Sequence, residues 1–382
     1  MISRRFAWLL IAVPLALLLL WFALQPSPEE TVEESPALEL SGQLLYLSRA
    51  NEAANLYAYD PETGATQALT EGLKISAFDA SPNGQSVYFA AANNSFGADI
   101  WQLNIADQNL SQLIECGAQR CDSPQANPNG GYLAYTRLEA DSGLPQVWLY
   151  SFSTADNELV SSAGQISLAP QWSPDGRLSF YNQSLSAYET MTPGSDERQL
   201  HPNALGEALS WAPDGASFVA AEGFSSFSDV VRGTTGEASL QTPEPDSLTT
   251  FEITLTALLS YRGTATESLL EYAAEQIEDA APAFAPNGRW LAFTRKYLDE
   301  ERWTPGRQLW ILEIETGAVI PLSSQGNYQM SAIDWRADSS QLAFVRSNRT
   351  NFNAPLEIWI MEPNGGNAHL IAVDAFAPQW LP

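Results

Sequence analysis

The chain has 382 residues, of which 45% are hydrophobic, and 45 acidic against 18 basic side chains give it a formal net charge of −27. This charge excludes nucleic acid as a natural partner, because phosphate backbones would be repelled. Its 24 Gly, 24 Pro, 12 Trp, 13 Tyr and 16 Phe residues are typical of a chain that forms many short strands and turns.

The N-terminus contains an uncharged apolar run over residues 6–24, preceded by Arg4 and Arg5. A run of this length can span a bilayer as a helix, and the basic pair favours a cytoplasmic N-terminus. A cleaved signal peptide is the alternative, but its apolar region is usually shorter. We predict that residues 1–24 are a transmembrane anchor and that the remainder is extracytoplasmic, in the periplasm or at the cell surface.

Residues 25–40 are rich in Glu and Pro and show no apolar periodicity. Such a composition cannot bury a core, and its like charges keep it extended. We predict an acidic linker that separates the anchor from a folded domain over residues 41–382.

Within this domain one turn phrase recurs, in which Pro and Asn or Asp precede Gly between two apolar runs. Its copies are centred on Gly84, Gly130, Gly176, Gly215 and Gly288, with a degenerate copy at Ser339. Asn-Gly and Asp-Gly are strong hairpin signals because these residues tolerate a positive φ. The copies lie 39 to 73 residues apart, which predicts an all-β propeller with four-stranded blades.

The two ends of this region complement each other. Residues 41–47 begin at the turn glycine, Gly42, without a strand before it, whereas residues 377–380 repeat the Ala-Pro-Gln-Trp strand of residues 169–172. We therefore predict that the C-terminal strand completes the first blade and closes the ring. Counting Gly42 gives seven blades, and six is the alternative if one unit is degenerate.

A third strand with a Trp follows most of the hairpins, at residues 100–103, 147–150, 309–312 and 358–361. A turn and a fourth, outer strand come next in each unit. These Trp residues could form a stacking platform for a sugar or peptide, but their fixed place in the repeat favours packing between blades.

The Trp-Ser-Pro-Asp-Gly turn at residues 172–176, the Leu-Ala-Phe strand at 291–293 and the Ile-Trp strand at 358–359 resemble the TolB-like (WD40-like) propeller repeat. The resemblance covers about residues 41–382 and implies the propeller fold. For function it implies several classes, since the family includes periplasmic scaffold proteins, propeller caps of prolyl-oligopeptidase-type peptidases and a few lyases. The fourth unit departs from the pattern at residues 187–190, and so does the fifth.

The fifth unit has a surplus between Glu222 and Thr250, which we predict to be a long loop, either for binding or as a disordered excursion. Residues 251–258 then read as a strand, with residues 267–272 as its partner. Shorter loops at 297–307 and 347–355 interrupt units six and seven between their second and third strands. Since equivalent positions in successive blades share a face, we predict that the three loops form one rim, which is the candidate partner surface.

Cys116 and Cys121, the only cysteines, flank four residues between the second and third units. In an exported chain this pair most often forms a structural disulfide, and a metal site would need further ligands.

The sequence offers no catalytic motif. The two histidines, His201 and His369, lie far apart in the repeat, and no nucleophile elbow, phosphate-binding loop or metal-binding motif occurs. We predict a monomeric, non-catalytic propeller without a cofactor that binds a protein or peptide in the cell envelope. The alternative is a propeller enzyme or carbohydrate binder that uses acidic channel residues, with or without a divalent cation.

Overall fold

The structure is a computed structural model that describes residues 40–382 except residues 52, 140, 203, 231–248, 263–264 and 271–276. All regular elements in these residues are β-strands. The described part of the chain has no helix with the length and hydropathy needed to cross a bilayer. The predicted anchor and the predicted linker, except Leu40, lie outside the described residues.

Each repeated turn phrase forms the hairpin between the first two strands of a four-stranded group. In the clearest copy the Gly176 N–H donates to the Ser173 carbonyl at 2.9 Å, and the Ser173 N–H donates to the Arg177 carbonyl at 2.8 Å. Gly176 has a φ of 89°, and Ser339 in the degenerate copy has a φ of 61°. The predicted hairpins are therefore confirmed, and even the substituted copy keeps the left-handed conformation.

The strands fall into seven groups in chain order. The first has β1 (Leu44–Asn51), β2 (Ala53–Tyr59) and β3 (Thr66–Ala68), and the second has β4 (Ile75–Ala80), β5 (Ser86–Ala92), β6 (Ala98–Asn104) and β7 (Leu110–Ile114). The third has β8 (Arg120–Ala126), β9 (Tyr132–Leu138), β10 (Pro145–Ser151) and β11 (Asn157–Leu159). The fourth has β12 (Ser167–Trp172), β13 (Leu178–Asn182), β14 (Ala187–Met191) and β15 (Arg198–Pro202).

The remaining groups follow the same order. The fifth has β16 (Ala204–Trp211), β17 (Phe218–Val230), β18 (Thr249–Arg262) and β19 (Ala265–Ser268). The sixth has β20 (Ile277–Phe284), β21 (Trp290–Tyr297), β22 (Gln308–Glu313) and β23 (Val319–Pro321). The seventh has β24 (Tyr328–Trp335), β25 (Leu342–Asn348), β26 (Glu357–Met361) and β27 (His369–Val373), and β28 (Ala375–Trp380) ends the series.

The strands of a group pair antiparallel. Single parallel pairs, Ala98 of β6 with Arg120 of β8 and Thr256 of β18 with Glu278 of β20, join the third strand of one group to the first strand of the next. In this way the second group is joined to the third and the fifth to the sixth. For this reason these groups appear as two eight-stranded sheets, beside three separate four-stranded sheets.

The C-terminal strand completes the first group. β28 pairs antiparallel with β1, and Leu44 lies opposite Trp380 in the register. The Leu381 N–H donates to the Gln43 carbonyl at 2.9 Å, which extends the pairing past the strand. The predicted closure by the last strand is confirmed, and it covers the edge that β1 would otherwise expose.

Hydrophobic cores lie between successive groups. Val147 and Leu149 of the third group pack with Phe180 of the fourth, and Tyr46 of the first packs with Val345 and Ile358 of the seventh. The repeated Trp residues are partly buried against these cores, as predicted, at Trp101, Trp148, Trp310 and Trp359. No group could bury its own apolar face alone, so each depends on its neighbours.

The fifth group differs from the sequence prediction. Residues 223–230 and 249 of the predicted loop between Glu222 and Thr250 are strand, since β17 and β18 continue in register as far as the pair Val230–Thr249. The outer strand is β19 (Ala265–Ser268), which begins two residues and ends four residues earlier than the predicted strand 267–272. Residues 231–248, the centre of the predicted loop, lie outside the described residues.

Candidate functional site

Strand order gives the propeller two chemically different faces. In a four-stranded antiparallel group, the connection between the second and third strands lies at the same end as the entry to the first strand of the next group. We call this end the loop face. Its connections between second and third strands include residues 93–97, 139–144, 183–186, 298–307 and 349–356.

The loop face exposes large apolar side chains. Phe96 is fully exposed, Phe352 is 80% exposed and Trp303 is 54% exposed. Leu138 and Leu185 are also exposed at this end. The other exposed large apolar residues of the described chain lie mainly on outer strands, at Leu110, Leu200, Ile320, Leu370 and Val373, with Ile314 after β22. Exposed aromatic side chains that gather on one face mark an interaction surface.

An open groove of about 480 Å³ lies beside Trp303. One wall is the connection 303–305, and the other is the segment 325–328, which leads into β24. The walls meet at Gly306, whose N–H donates to the Gly326 carbonyl at 3.2 Å. A Cβ at Gly306 would overlap the carbonyl oxygen of Tyr328. Glycine therefore permits the close approach that forms the groove.

Cationic side chains support the aromatic ones around the groove. The Lys296 Nζ lies 5.4 Å from the centroid of the Trp303 ring. The Arg346 guanidinium lies 4.1 Å from the ring centroids of both Tyr328 and Trp359. These cation–π contacts fix the orientation of the rings, so the surface is ordered before a ligand arrives.

Next to the groove, a cavity of about 860 Å³ opens among the first strands of the fourth to seventh groups. Its lining includes Tyr181, Gln183, Arg307, Gln329, Met330 and Ser331. Ala169, Ala281 and Ala332 also line it, each with a φ near +50° at a bulge in its first strand. Their small side chains leave the space open where the strands bend.

Two acids near the ring closure have perturbed pKa values. Burial raises the pKa of Asp79 to about 6. Burial, with a smaller contribution from the charge of Asp79, raises the pKa of Asp334 to about 7. Their oxygens accept hydrogen bonds from the Ala126 N–H at 2.7 Å and from the Trp380 N–H at 2.6 Å. These carboxylates hold neighbouring first strands together.

The histidines belong to different groups. His201 is buried, its Nε2 lies 3.1 Å from Thr190 Oγ1, and its ring packs edge-on against Phe218. Burial, assisted by the charge of Arg177, lowers the pKa of His201 to about 4, so the ring is neutral at pH 7. His369 lies exposed on β27 and contacts the Asn367 carbonyl. Among the described residues, no three His, Cys, Asp or Glu side chains form a metal-binding group.

Cys116 and Cys121 form the predicted disulfide, with Cα atoms 6.2 Å apart. It lies between β7 and β8, as expected from the sequence, and both cysteines are buried. The short loop that it closes contacts the connection bearing Phe96, because Asn93 Nδ2 donates to the Gly117 carbonyl at 2.7 Å. The disulfide thus supports one part of the loop face.

Comparison with known proteins agrees with this architecture, although no protein-family model matches the chain. Residues of the chain are 34% identical over 87 residues to the Tol-Pal system protein TolB of Alcanivorax borkumensis, covering 22% of this chain and 20% of that protein. They are 26% identical over 218 residues to the uncharacterized peptidase YuxL of Bacillus subtilis, covering 50% of this chain and 31% of that protein. The chain therefore spans less than a third of either curated relative.

Solved structures resemble the chain over most of its length. The β-propeller domain of the Trilobed protease from Pyrococcus furiosus, described as having an open velcro topology, has a TM-score of 0.58 at 12% identity, covering 88% of this chain and 97% of that domain. This chain is a β-propeller with TolB-like repeats. An oligogalacturonate lyase in complex with manganese also has a TM-score of 0.58, at 13% identity, covering 84% of this chain and 86% of that one. A prolyl endopeptidase has a TM-score of 0.60 at 14% identity, covering 90% of this chain and 50% of that one.

Sequence reasoning located part of the candidate site in this propeller. The predicted loops 297–307 and 347–355 carry Trp303, Arg307 and Phe352, but none of these residues was singled out, and the connection that carries Phe96 was missed. The sequence does contain a signal for Trp303 and Phe352, because neither lies at a position where the repeat has a Trp or Phe that packs between groups. Arg307 gave no such signal, since its importance depends on what surrounds it in the cavity.

Proposed function

We propose that this propeller is a non-catalytic protein that binds a protein or peptide partner in the cell envelope through its loop face. The observation that carries the proposal is the exposure of Phe96, Trp303 and Phe352 on the loop face, where a groove lies beside Trp303 and a cavity beside Arg307. Exposed aromatic side chains next to recesses are the usual anchors of protein interfaces.

The proposal includes the organisation of the whole chain. Each four-stranded group is one blade, so the ring has seven blades and acts as a monomer. Residues 1–24 tether it to the membrane, residues 25–40 keep it away from the bilayer, and the ring is extracytoplasmic. The buried disulfide supports an oxidising compartment, and the apolar run after Arg4 and Arg5 supports the tether.

The experiment that tests the binding face compares two double variants of the full-length protein in cross-linking capture from an envelope extract. Trp303→Ala with Phe352→Ala removes exposed aromatics of the loop face. Leu200→Ala with Leu370→Ala removes exposed apolar side chains from outer strands. Since buried aromatic anchors each contribute about 2 kcal/mol or more, we expect the first variant to lose captured partner at least tenfold. Equal capture by both variants would contradict the proposal.

A second candidate function is a carbohydrate binder or propeller enzyme that uses acidic channel residues with a divalent cation. It is favoured by the similarity to the oligogalacturonate lyase, which covers most of both chains. Metal analysis of the purified protein and a glycan-array screen distinguish the candidates. A bound divalent cation or selective glycan binding would favour this second function, and their absence together with partner capture would favour the first.

A further inference from the structure

The cavity on the loop face differs in charge from the rest of the molecule. The chain has a formal net charge of −27, yet Arg307 alone carries a formal charge among the described residues that line the cavity. Its other polar lining groups are neutral, and they are Gln171, Gln183, Gln329, Thr294, Ser331 and Tyr181. An acidic ligand would meet no like charge in this lining.

Arg307 is held firmly in place at the cavity wall. Its backbone N–H donates to Gln329 Oε1 at 3.0 Å, and its carbonyl accepts from the Met330 N–H at 3.0 Å. One terminal guanidinium nitrogen donates to Glu278 Oε2 at 2.8 Å, whereas the buried Nε has no hydrogen-bond partner in the described chain. The guanidinium therefore keeps donor capacity beyond its contact with Glu278.

Two acids on β20 contact or face the cations of this wall. Asp279 is fully buried and binds Arg295 through two hydrogen bonds of 2.7 Å. Glu278, which contacts Arg307, also lies directly opposite Lys296 in the register of β20 and β21. Among the described lining residues Arg307 is therefore the charged group that an anion in the cavity would meet, and a cation in a partly desolvated site attracts an anion strongly.

We propose that the cavity binds a carboxylate of the partner peptide, with Arg307 as its ion-pair partner and Gln329 beside it. This inference rests on the proposed function and specifies which chemical group the loop face recognises. Pro305 lines the groove, and Arg307, two residues later in the protein, lines the cavity. A peptide bound across Trp303 can therefore extend into the cavity. Arg forms its strongest hydrogen bonds with carboxylates, often through two nitrogens.

The test measures retention of three pools of randomised five-residue peptides on the immobilised full-length protein. The first pool has a free C-terminal carboxylate, the second is amidated, and the third is amidated and lacks Asp and Glu. We expect the first pool to be retained at least tenfold better than the third, because a charge-assisted hydrogen bond is lost. If the second pool is retained as well as the first, the recognised group is a side-chain carboxylate.

Single-residue variants test whether Arg307 causes the difference in peptide retention. Arg307→Gln should abolish the difference between the first and third pools, whereas Arg302→Gln, which removes an equal charge from an exposed pair with Asp299, should leave it unchanged. Glu278→Gln should strengthen retention of the first pool, since it removes the carboxylate that competes for Arg307. The stronger retention expected for Glu278→Gln tests the inference even if Arg307→Gln impairs folding.

Three outcomes would overturn the inference: no pool retained, equal retention of the first and third pools, or equal losses in Arg307→Gln and Arg302→Gln. If the pools are retained equally and Trp303→Ala reduces that retention, the proposed function stands and the carboxylate inference alone fails.

Discussion

At the scale of single residues, one side-chain position connects the first strands of successive groups in three of the repeats. It lies five residues before the turn residue and is occupied there by Asp79, Ser210 and Asp334. Its bonds run from the Ala126 N–H to Asp79, from the Phe284 N–H to Ser210 and from the Trp380 N–H to Asp334, at 2.7, 2.9 and 2.6 Å. These directional bonds supplement the apolar packing between blades.

Asp334 makes this connection dependent on pH. Its pKa is raised to about 7 in the folded protein, against about 3.9 in an unfolded chain. The folded state therefore holds a proton that the unfolded state releases, so the stability contribution is complete below about pH 4 and is lost as the pH rises through 7. Asp334→Asn removes the charge but can still accept the Trp380 N–H. We expect it to raise the melting temperature by several degrees at pH 8 and by a clearly smaller amount at pH 5.

The matched control is Asp338→Asn, which removes an exposed charge from the same hairpin. A hydrogen bond from the Ser340 side chain lowers the pKa of Asp338, so this variant should give no gain at pH 8. Thermal unfolding followed by circular dichroism at both pH values decides between the two. An Asp334→Asn protein that is less stable than wild type at pH 8 would show that the charged carboxylate stabilises the closure.

The sequence was informative about residues whose role is local. A positive φ at Gly176 follows from the turn phrase, and the disulfide follows from the short spacing of Cys116 and Cys121. The bonds of Asp79 and Asp334 could not be predicted in this way. They join strands that are 46 or more residues apart, and the chain has 45 acids that could occupy such positions.

At the scale of elements, the groove depends on the close contact between the connection 298–307 and the segment before β24. Gly306 has an ordinary φ, so a Cβ there is opposed only by its surroundings, which are the backbone of Tyr328 and Gln329. We expect Gly306→Ala to separate the two walls and to lower the free energy of unfolding by about 1–3 kcal/mol, since backbone atoms cannot move aside easily. Urea denaturation measures this change, and partner capture should fall with it.

Gly131→Ala provides the control for that prediction. Gly131 lies exposed in a turn, also has an ordinary φ, and a Cβ there would meet no atom within 4 Å among the described residues. The free energy of unfolding should therefore change by less than about 0.5 kcal/mol. If the two variants had the same stability, the steric origin of the groove would be wrong.

Element boundaries could be predicted where the repeat was regular, but their prediction was wrong in the fifth group. There the alternation of residues 251–258 indicated a strand, but the pairing of β17 with β18 extends to Val230 and Thr249. Residues in this stretch include Ser, Thr and Gly, which are common in loops, and cross-strand pairing of the two long strands overrides that local tendency.

At the scale of the whole molecule, β28 joins the last group of strands to the first. It pairs with β1, its Trp380 contributes to the core between the seventh and first groups, and Gln379 contacts Asp79 and the Ala80 N–H of the second group. One short strand therefore contributes to contacts among three groups. Its loss would expose the paired edge of β1 as well as an apolar core.

Deleting residues 375–382 should consequently abolish cooperative unfolding and cause aggregation, although it removes only one strand of the ring. The effect can be separated from a general loss of folding by adding a synthetic peptide of residues 373–382 to the truncated protein. We expect the peptide to restore a single cooperative transition in differential scanning calorimetry, with a midpoint that rises with peptide concentration because binding is coupled to folding. A peptide in which Gln379 and Trp380 are replaced by Ala should restore it less well. A truncated protein that unfolds cooperatively at the wild-type temperature without any peptide would mean that the ring is held by its blade interfaces alone.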